Sequence, residues 1–392
     1  MVGGLLIEEL SPSAVALGTE VMQDSISKTY LNATRNLSHN DEDSVYSQIA
    51  SFGDNVYIVW EQSVPGPDAK NYDIYFMSSK DGGINFNDPV NLSNNKGFSE
   101  HPQIAAVENN VYILWVDDST GARQVFFRNS ADGGENFAPA VKLSKGNNTS
   151  SNAELTAVGS KVTAVWNDYS SYGGNKIILA ESRDRGLSFE NINNLGSSDS
   201  LSFPKVVVLK DQNYVTWNTN TTKDKSHQII FTKPVTTTTN LPVSMKIANY
   251  IEDGESQISA FDNNVLIFWT GANSTGQHKL YYAQSIDYGN NFGKIADISE
   301  NLNDSSNVET VFDGKNLYVA WQENVSGNEE IFLRKSVDGG VTFGQIINFS
   351  DNEGTSECPS ISISNNKLHI VWEDDTPGNH EILYKSIDST PT

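Results

Sequence analysis

The chain of 392 residues carries 49 acidic against 26 basic side chains, a formal net charge of −23 and a sequence pI near 4.5. That balance repels a polyanion and excludes nucleic acid as a partner. No apolar run reaches the roughly 18 residues of a membrane-spanning helix, and the single cysteine, Cys358, excludes an internal disulfide framework.

Residues 1–27 hold no Lys or Arg and only two short apolar stretches, Gly4–Ile7 and Ala14–Leu17. The positive start of an export signal is missing. The segment reads as an N-terminal extension: the stub of a trimmed signal or lipid-anchored stalk, or a disordered arm. Residues 28–392 form a single repeat domain. A short strand-like segment, Leu31–Ser38, comes first, and seven copies of one unit follow. The copies are marked by Trp60, Trp115, Trp166, Trp217, Trp269, Trp321 and Trp372, spaced 51 to 55 residues apart. A period near 50 with strand-like patterning predicts blades of a propeller.

Each unit opens on a short apolar run such as Gln103–Ala106 or Ser360–Ile363, strand A. Turn residues follow (Asn109–Asn110, Asn263–Asn264, Asn365–Asn366), suited to a tight hairpin. The Trp string, as in Asn55–Trp60, is strand B. A polar loop, usually with a glycine, leads to strand C (Asp73–Met77, Gln124–Arg128, Glu330–Arg334). Strand D ends in Asn91-Leu-Ser93, Lys142-Leu-Ser144, Asp297-Ile-Ser299 or Asn348-Phe-Ser350. The seventh unit stops after strand C, while Asn36-Leu-Ser38 matches the D ending. The expected fold is therefore an all-β, seven-bladed propeller of four-stranded antiparallel blades. An N-terminal strand completes the last blade and leaves no open sheet edge.

Between C and D, five units carry S-x-D-x-G-x-x-F: Ser79 to Phe86, Ser130 to Phe137, Ser182 to Phe189, Ser285 to Phe292 and Ser336 to Phe343. From about Lys28 to its end the chain resembles the sialidase-like superfamily of Asp-box (BNR-repeat) propellers. Their Asp81, Asp132, Asp184, Asp287 and Asp338 are expected to be structural. Ser and Asp would bond the turn backbone, Gly supply a positive φ, and Phe anchor the hairpin in its blade. Unit four has Thr232–Thr236 instead and must close its hairpin by other means.

The A–B and C–D turns of such a meander lie on one side of the disc, the B–C loops and D–A links on the other. The resemblance implies that the second side is the functional face. Two residues before the strand-A anchor stand Tyr46, His101, Asn152, Phe203, Glu255, Asn307 and Cys358. They are expected to ring the channel mouth, either as a shaped ligand site or as unconstrained exposed positions; Cys358 reads as a small buried thiol. Two residues after each Trp stand Gln62, Asp117, Asp168, Thr219, Gly271, Glu323 and Asp374, flanked by Glu61, Asp118, Glu373 and Asp375. Units four and five offer Lys223, Lys225, His227, His278 and Lys279 instead. The acids either tie down their own loops or line a mouth that takes Ca²⁺ or a cationic or polyhydroxylated ligand. No other cofactor is implied.

Catalytic members of the resembled superfamily clamp a substrate carboxylate with three arginines, one in an early F-R-I-P motif. This chain has no such motif, and of its six arginines only Arg123 is expected to reach the open face. Two readings follow. One is a secreted or cell-surface, monomeric, non-catalytic module binding glycan or protein. The other is a glycoside hydrolase using a pair among Asp117, Asp168, Glu255, Glu323 and Asp374, with Tyr169, Tyr172 and Phe203 as platforms for sugar rings. An intracellular assembly factor on the same scaffold is a third class.

Overall fold

The computed structural model describes residues 33–65, 71–146, 148–170, 174–198, 202–220, 227–233, 243–250, 255–273, 276–300, 302 and 304–389; the extension 1–27 lies outside them. Seven four-stranded antiparallel sheets follow one another along the chain. In blade 1, strand A is Ser44–Phe52, B is Asn55–Val64, C is Asn71–Ser79 and D is Val90–Asn91. The ring closes as the repeats predict. Arg35–Asn36 pairs antiparallel with Glu381–Asp388, strand C of blade 7, and the Leu37 amide extends the pairing to the Ile382 carbonyl at 2.8 Å.

Strand B is the most buried element of each blade because β-branched and aromatic residues occupy both of its faces. All eight residues of Asn110–Asp117 are buried. The apolar clusters join adjacent blades. Trp60 and Ile58 of blade 1 pack with Val371, Ile382 and Tyr384 of blade 7, while Tyr57 and Phe76 of blade 1 pack with Trp115 and Ile113 of blade 2. Closure thus supplies each blade with a neighbour on both faces.

The S-x-D-x-G hairpins have the local geometry their residues dictate. Ser130 Oγ donates to Asp132 Oδ1 at 2.7 Å and accepts from Gly134 N at 3.0 Å, and Asp132 Oδ1 accepts from Asn136 N at 2.9 Å. Backbone and side-chain hydrogen bonds from Asn136 hold the Asp132 carboxyl down at about 2. The phenylalanine, expected to anchor the hairpin in the blade, also reaches the neighbouring one. Phe137 meets Phe76 edge-on at 5.0 Å and Phe189 meets Phe127 at 4.9 Å. The motif is an inter-blade staple. Its glycine explains why: a Cβ on Gly134 would lie 2.4 Å from Phe76 Cζ, so the turn lets the aromatic edge of the previous blade sit beneath it. Blade 4, without the motif, pairs its C and D strands over His227–Lys233 and Val243–Tyr250; the turn between them lies outside the described residues.

The two faces separate as the meander requires. Gly82, Gly133 and Gly339 of the hairpins donate to A–B turn carbonyls of the same blades. On the other face, Asp118 and Asp375 of the B–C loops donate to Phe98 and Thr355 of the D–A links.

Candidate functional site

All seven ring residues, Tyr46, His101, Asn152, Phe203, Glu255, Asn307 and Cys358, line one cavity of about 350 Å³ where the blades meet. A shared backbone device aims most of them there. In blades 1, 2, 3, 6 and 7 the pairing of strands A and B slips across this position. Tyr46, His101, Asn152, Asn307 and Cys358 take φ values between 48° and 53°. Each is a bulge residue turned toward the axis, in a backbone region that costs non-glycine residues on the order of 1 kcal/mol or more.

The residue directly after the tryptophan holds the bulge. Glu373 accepts from Tyr46 N at 3.0 Å, Glu61 from His101 N at 2.5 Å and Gln322 from Cys358 N at 3.2 Å, each from the preceding blade. In blade 4 Asn218 holds Phe203 N from within the blade at 2.7 Å. These clamps are nearly solvent-free. Burial, partly offset by the His101 N–H, pushes the Glu61 carboxyl up to about 8, and burial also raises Glu373.

Below the ring lies a second polar layer. Lys205 Nζ stands 3.0 Å from Glu154 Oε2 and 3.6 Å from Glu309 Oε1, and Gln257 Nε2 donates to Glu309 Oε2 at 2.7 Å. Burial pushes Glu309 up to about 7 against the pull of Lys205, and lifts Glu154. Burial opposes the charge on Lys205, but Glu154, Glu309 and Glu255 together hold it protonated. This layer and the clamps are absent from the sequence-based expectation. The layer's signal lies in the repeat: Gln48, Gln103, Glu154, Lys205, Gln257, Glu309 and Ser360, two residues after the ring, are polar in all seven blades.

At the mouth, Tyr46 and His101 approach with ring centroids 5.0 Å apart. Desolvation within the mouth lowers the His101 pKa, with Glu100 pulling the other way. Cys358, expected to be buried, is only partly so and lines the cavity. Burial and the nearby Glu373 push its thiol well above the ordinary range, leaving it un-ionised.

The acids two residues after the tryptophan sit elsewhere, beneath the loops. Asp374 accepts from Trp372 Nε1 at 3.0 Å, Asn352 Nδ2 at 2.8 Å, Ser356 Oγ at 2.7 Å and Thr376 N at 2.9 Å. Asp117 repeats the pattern with Trp115, Asn95, Ser99 and Ser119. Burial alone would raise both carboxyls, but these donors hold them below the usual range. Glu323 accepts from Asp304 N, Ser305 Oγ and Trp321 Nε1, and Asp168 from Asn148 and Ser150. Each ties a D–A link to its own strand B. Among the described residues no three His, Cys, Asp or Glu converge as metal donors.

No arginine lines the cavity. Arg35, Arg128 and Arg334 stack over Phe86, Phe137 and Phe343 and donate to nearby carbonyls. Arg123 reaches the open face and pairs with Glu100 at 2.8 Å. Tyr169 is exposed beside Asp168, whereas Tyr172, Lys223 and Lys225 lie outside the described residues.

The seven-bladed propeller resembles in fold several solved structures, sialidases among them. A protein of unknown function from Dyadobacter fermentans superposes with a TM-score of 0.56 at 12% identity, over 92% of this chain and 98% of that one. The endosialidase of phage phi92 gives 0.54 at 11% identity, over 95% of this chain and 70% of its own. A sialidase from Trypanosoma rangeli gives 0.52 at 10% identity, over 91% of this chain, which spans only 57% of the trypanosomal protein. Likenesses at such identity establish architecture alone. No protein-family model matches the chain, and neither does any curated protein sequence. Among the described residues no helix is long and apolar enough to cross a membrane.

Proposed function

We propose that this propeller is a secreted or cell-surface, non-catalytic module that recognises a glycan or protein ligand at the channel mouth on its B–C loop face. One observation carries this reading. Of the five acids considered for hydrolysis, Glu255 alone lines the cavity; Asp117, Asp168, Glu323 and Asp374 are engaged with loop donors. Glycoside hydrolysis needs two carboxyl groups about 5 Å apart, or about 6.5 to 9.5 Å apart, across one bond. A hydrolase here would have to pair Glu255 with Glu154 or Glu309, and both are already paired with Lys205. The lack of a guanidinium in the cavity argues separately against a sialic acid carboxylate as substrate.

A mixed rim of Tyr46, His101, Asn152, Phe203 and Asn307 suits recognition. Aromatic faces and amide groups converge on a preformed recess, while the strained bulges keep their backbone in place. The test is turnover of a broad panel of glycosides, sialosides included, at high protein concentration. The proposal expects none; hydrolysis abolished by Glu255→Gln would replace it with the hydrolase reading.

A further inference from the structure

The cavity has a charge imbalance that its own residues leave uncompensated. Glu154, Glu255 and Glu309 face it, and Lys205 is the one lysine or arginine in its lining. Lys205 is committed to Glu154 at 3.0 Å and Glu309 at 3.6 Å, and Gln257 holds the second oxygen of Glu309. Glu255 has no such partner among the described residues. It shares the cavity lining with Tyr46, Cys358 and Lys205. An incoming anion would meet this carboxylate with no free guanidinium or ammonium to receive it.

The walls have a second, independent character. Tyr46 and His101 present adjoining rings across the mouth, Tyr46 with 44% of its surface exposed, and Phe203 stands on the far arc. Aromatic rings and a carboxylate lining one recess suit a compact organic cation. The rings supply their quadrupole and apolar contact, and the carboxylate supplies a charge-assisted hydrogen bond away from bulk water. Resting on the mouth as the binding site, we propose that its ligand presents an alkylammonium group, bonded to Glu255 and flanked by Tyr46 and Phe203. An amino sugar or a lysine side chain could supply that group.

Calorimetric titration of the full chain at fixed ionic strength tests this with two matched pairs. One is glucosamine against N-acetylglucosamine; the other is Nα-acetyl-lysine methylamide against its Nε-acetylated form. Within each pair, acetylation removes the charge. Binding of at least one amine, weakened tenfold or more by acetylation and tenfold or more by Glu255→Gln, is the expected result, with an unchanged melting temperature showing that the variant is folded. Preference for the first pair assigns an amino sugar, for the second a protein. Equal binding of charged and acetylated forms, binding unaffected by Glu255→Gln, or no binding of either amine overturns the inference. Recognition of a neutral glycan at the mouth would sink the ammonium assignment alone. Turnover of a glycoside would sink the binding-module reading itself.

Discussion

Replacing Glu61 by Gln should make the protein more stable at alkaline pH and leave it almost unchanged in mild acid. Glu61 is 3% exposed and accepts the bulge amide of His101. Burial, assisted by Glu100 and Glu373, lifts its carboxyl from 4.5 to about 8. A raised carboxyl pKa means that the fold favours the protonated form. Its contribution is therefore fully present below about pH 4.5 and is lost as pH rises through 8. A displacement of that size corresponds to about 5 kcal/mol between the two limits. Glutamine keeps the accepting oxygen and carries no ionisable proton, and blade 6 shows that it suits the site, since Gln322 performs the same task for Cys358. Urea denaturation of both proteins from pH 5 to pH 9 should give stabilities within about 1 kcal/mol at pH 5. The variant should lead by several kcal/mol at pH 9. Parallel curves across that range would refute the placement of an ionisable, buried clamp behind the bulge.

Gly134→Ala should cost about 3 kcal/mol or more, because the new Cβ meets Phe76 at 2.4 Å and φ is 84°. Gly121→Ala, at φ 100° with open space around it, should cost about 1 kcal/mol; equal denaturant midpoints would contradict the staple. Asp374→Ala should remove about 3 kcal/mol by leaving two buried donors, Trp372 Nε1 and Ser356 Oγ, and two less buried ones, Asn352 Nδ2 and Thr376 N, without their acceptor, whereas Glu255→Gln should leave the melting temperature unchanged. Thermal melts with Ca²⁺ and with chelator should superimpose, because the loop carboxylates already accept protein donors; a midpoint rising with Ca²⁺ concentration would reveal a cation site. Leu37→Ala, at a position 8% exposed in the closing strand, should cost about 2 to 4 kcal/mol, with a loss under 1 kcal/mol contradicting tight closure.

The architecture was legible because each blade repeats the same physical problem. Trp60 and its six counterparts fix the period, and Asn36-Leu-Ser38 betrays the strand missing from the seventh unit. The ring from Tyr46 to Cys358 could be placed at the mouth because strand order alone determines which turns share a face. What periodicity could not disclose is geometry that depends on a neighbouring blade. Glu61 reads locally as one more acid beside a loop, yet its partner is the His101 amide 40 residues on. Phe137 reads as an anchor within its hairpin, yet its ring contacts Phe76 of the preceding blade. Lys205 follows an ordinary Phe-Pro step, and only closure of the ring brings it between Glu154 and Glu309. The two candidate readings of the acids after the tryptophan likewise needed the donors' positions, because Asp117 meets Asn95 and Ser99 from the incoming D–A link.

Binding to an array of glycans and peptides, compared between the native chain and a Tyr46→Ala, Phe203→Ala double variant, addresses the central claim most directly. A ligand retained by the native protein and lost by the double variant, at an unchanged melting temperature, is the predicted result. Equal retention by the two proteins would place recognition away from the channel mouth and contradict the account.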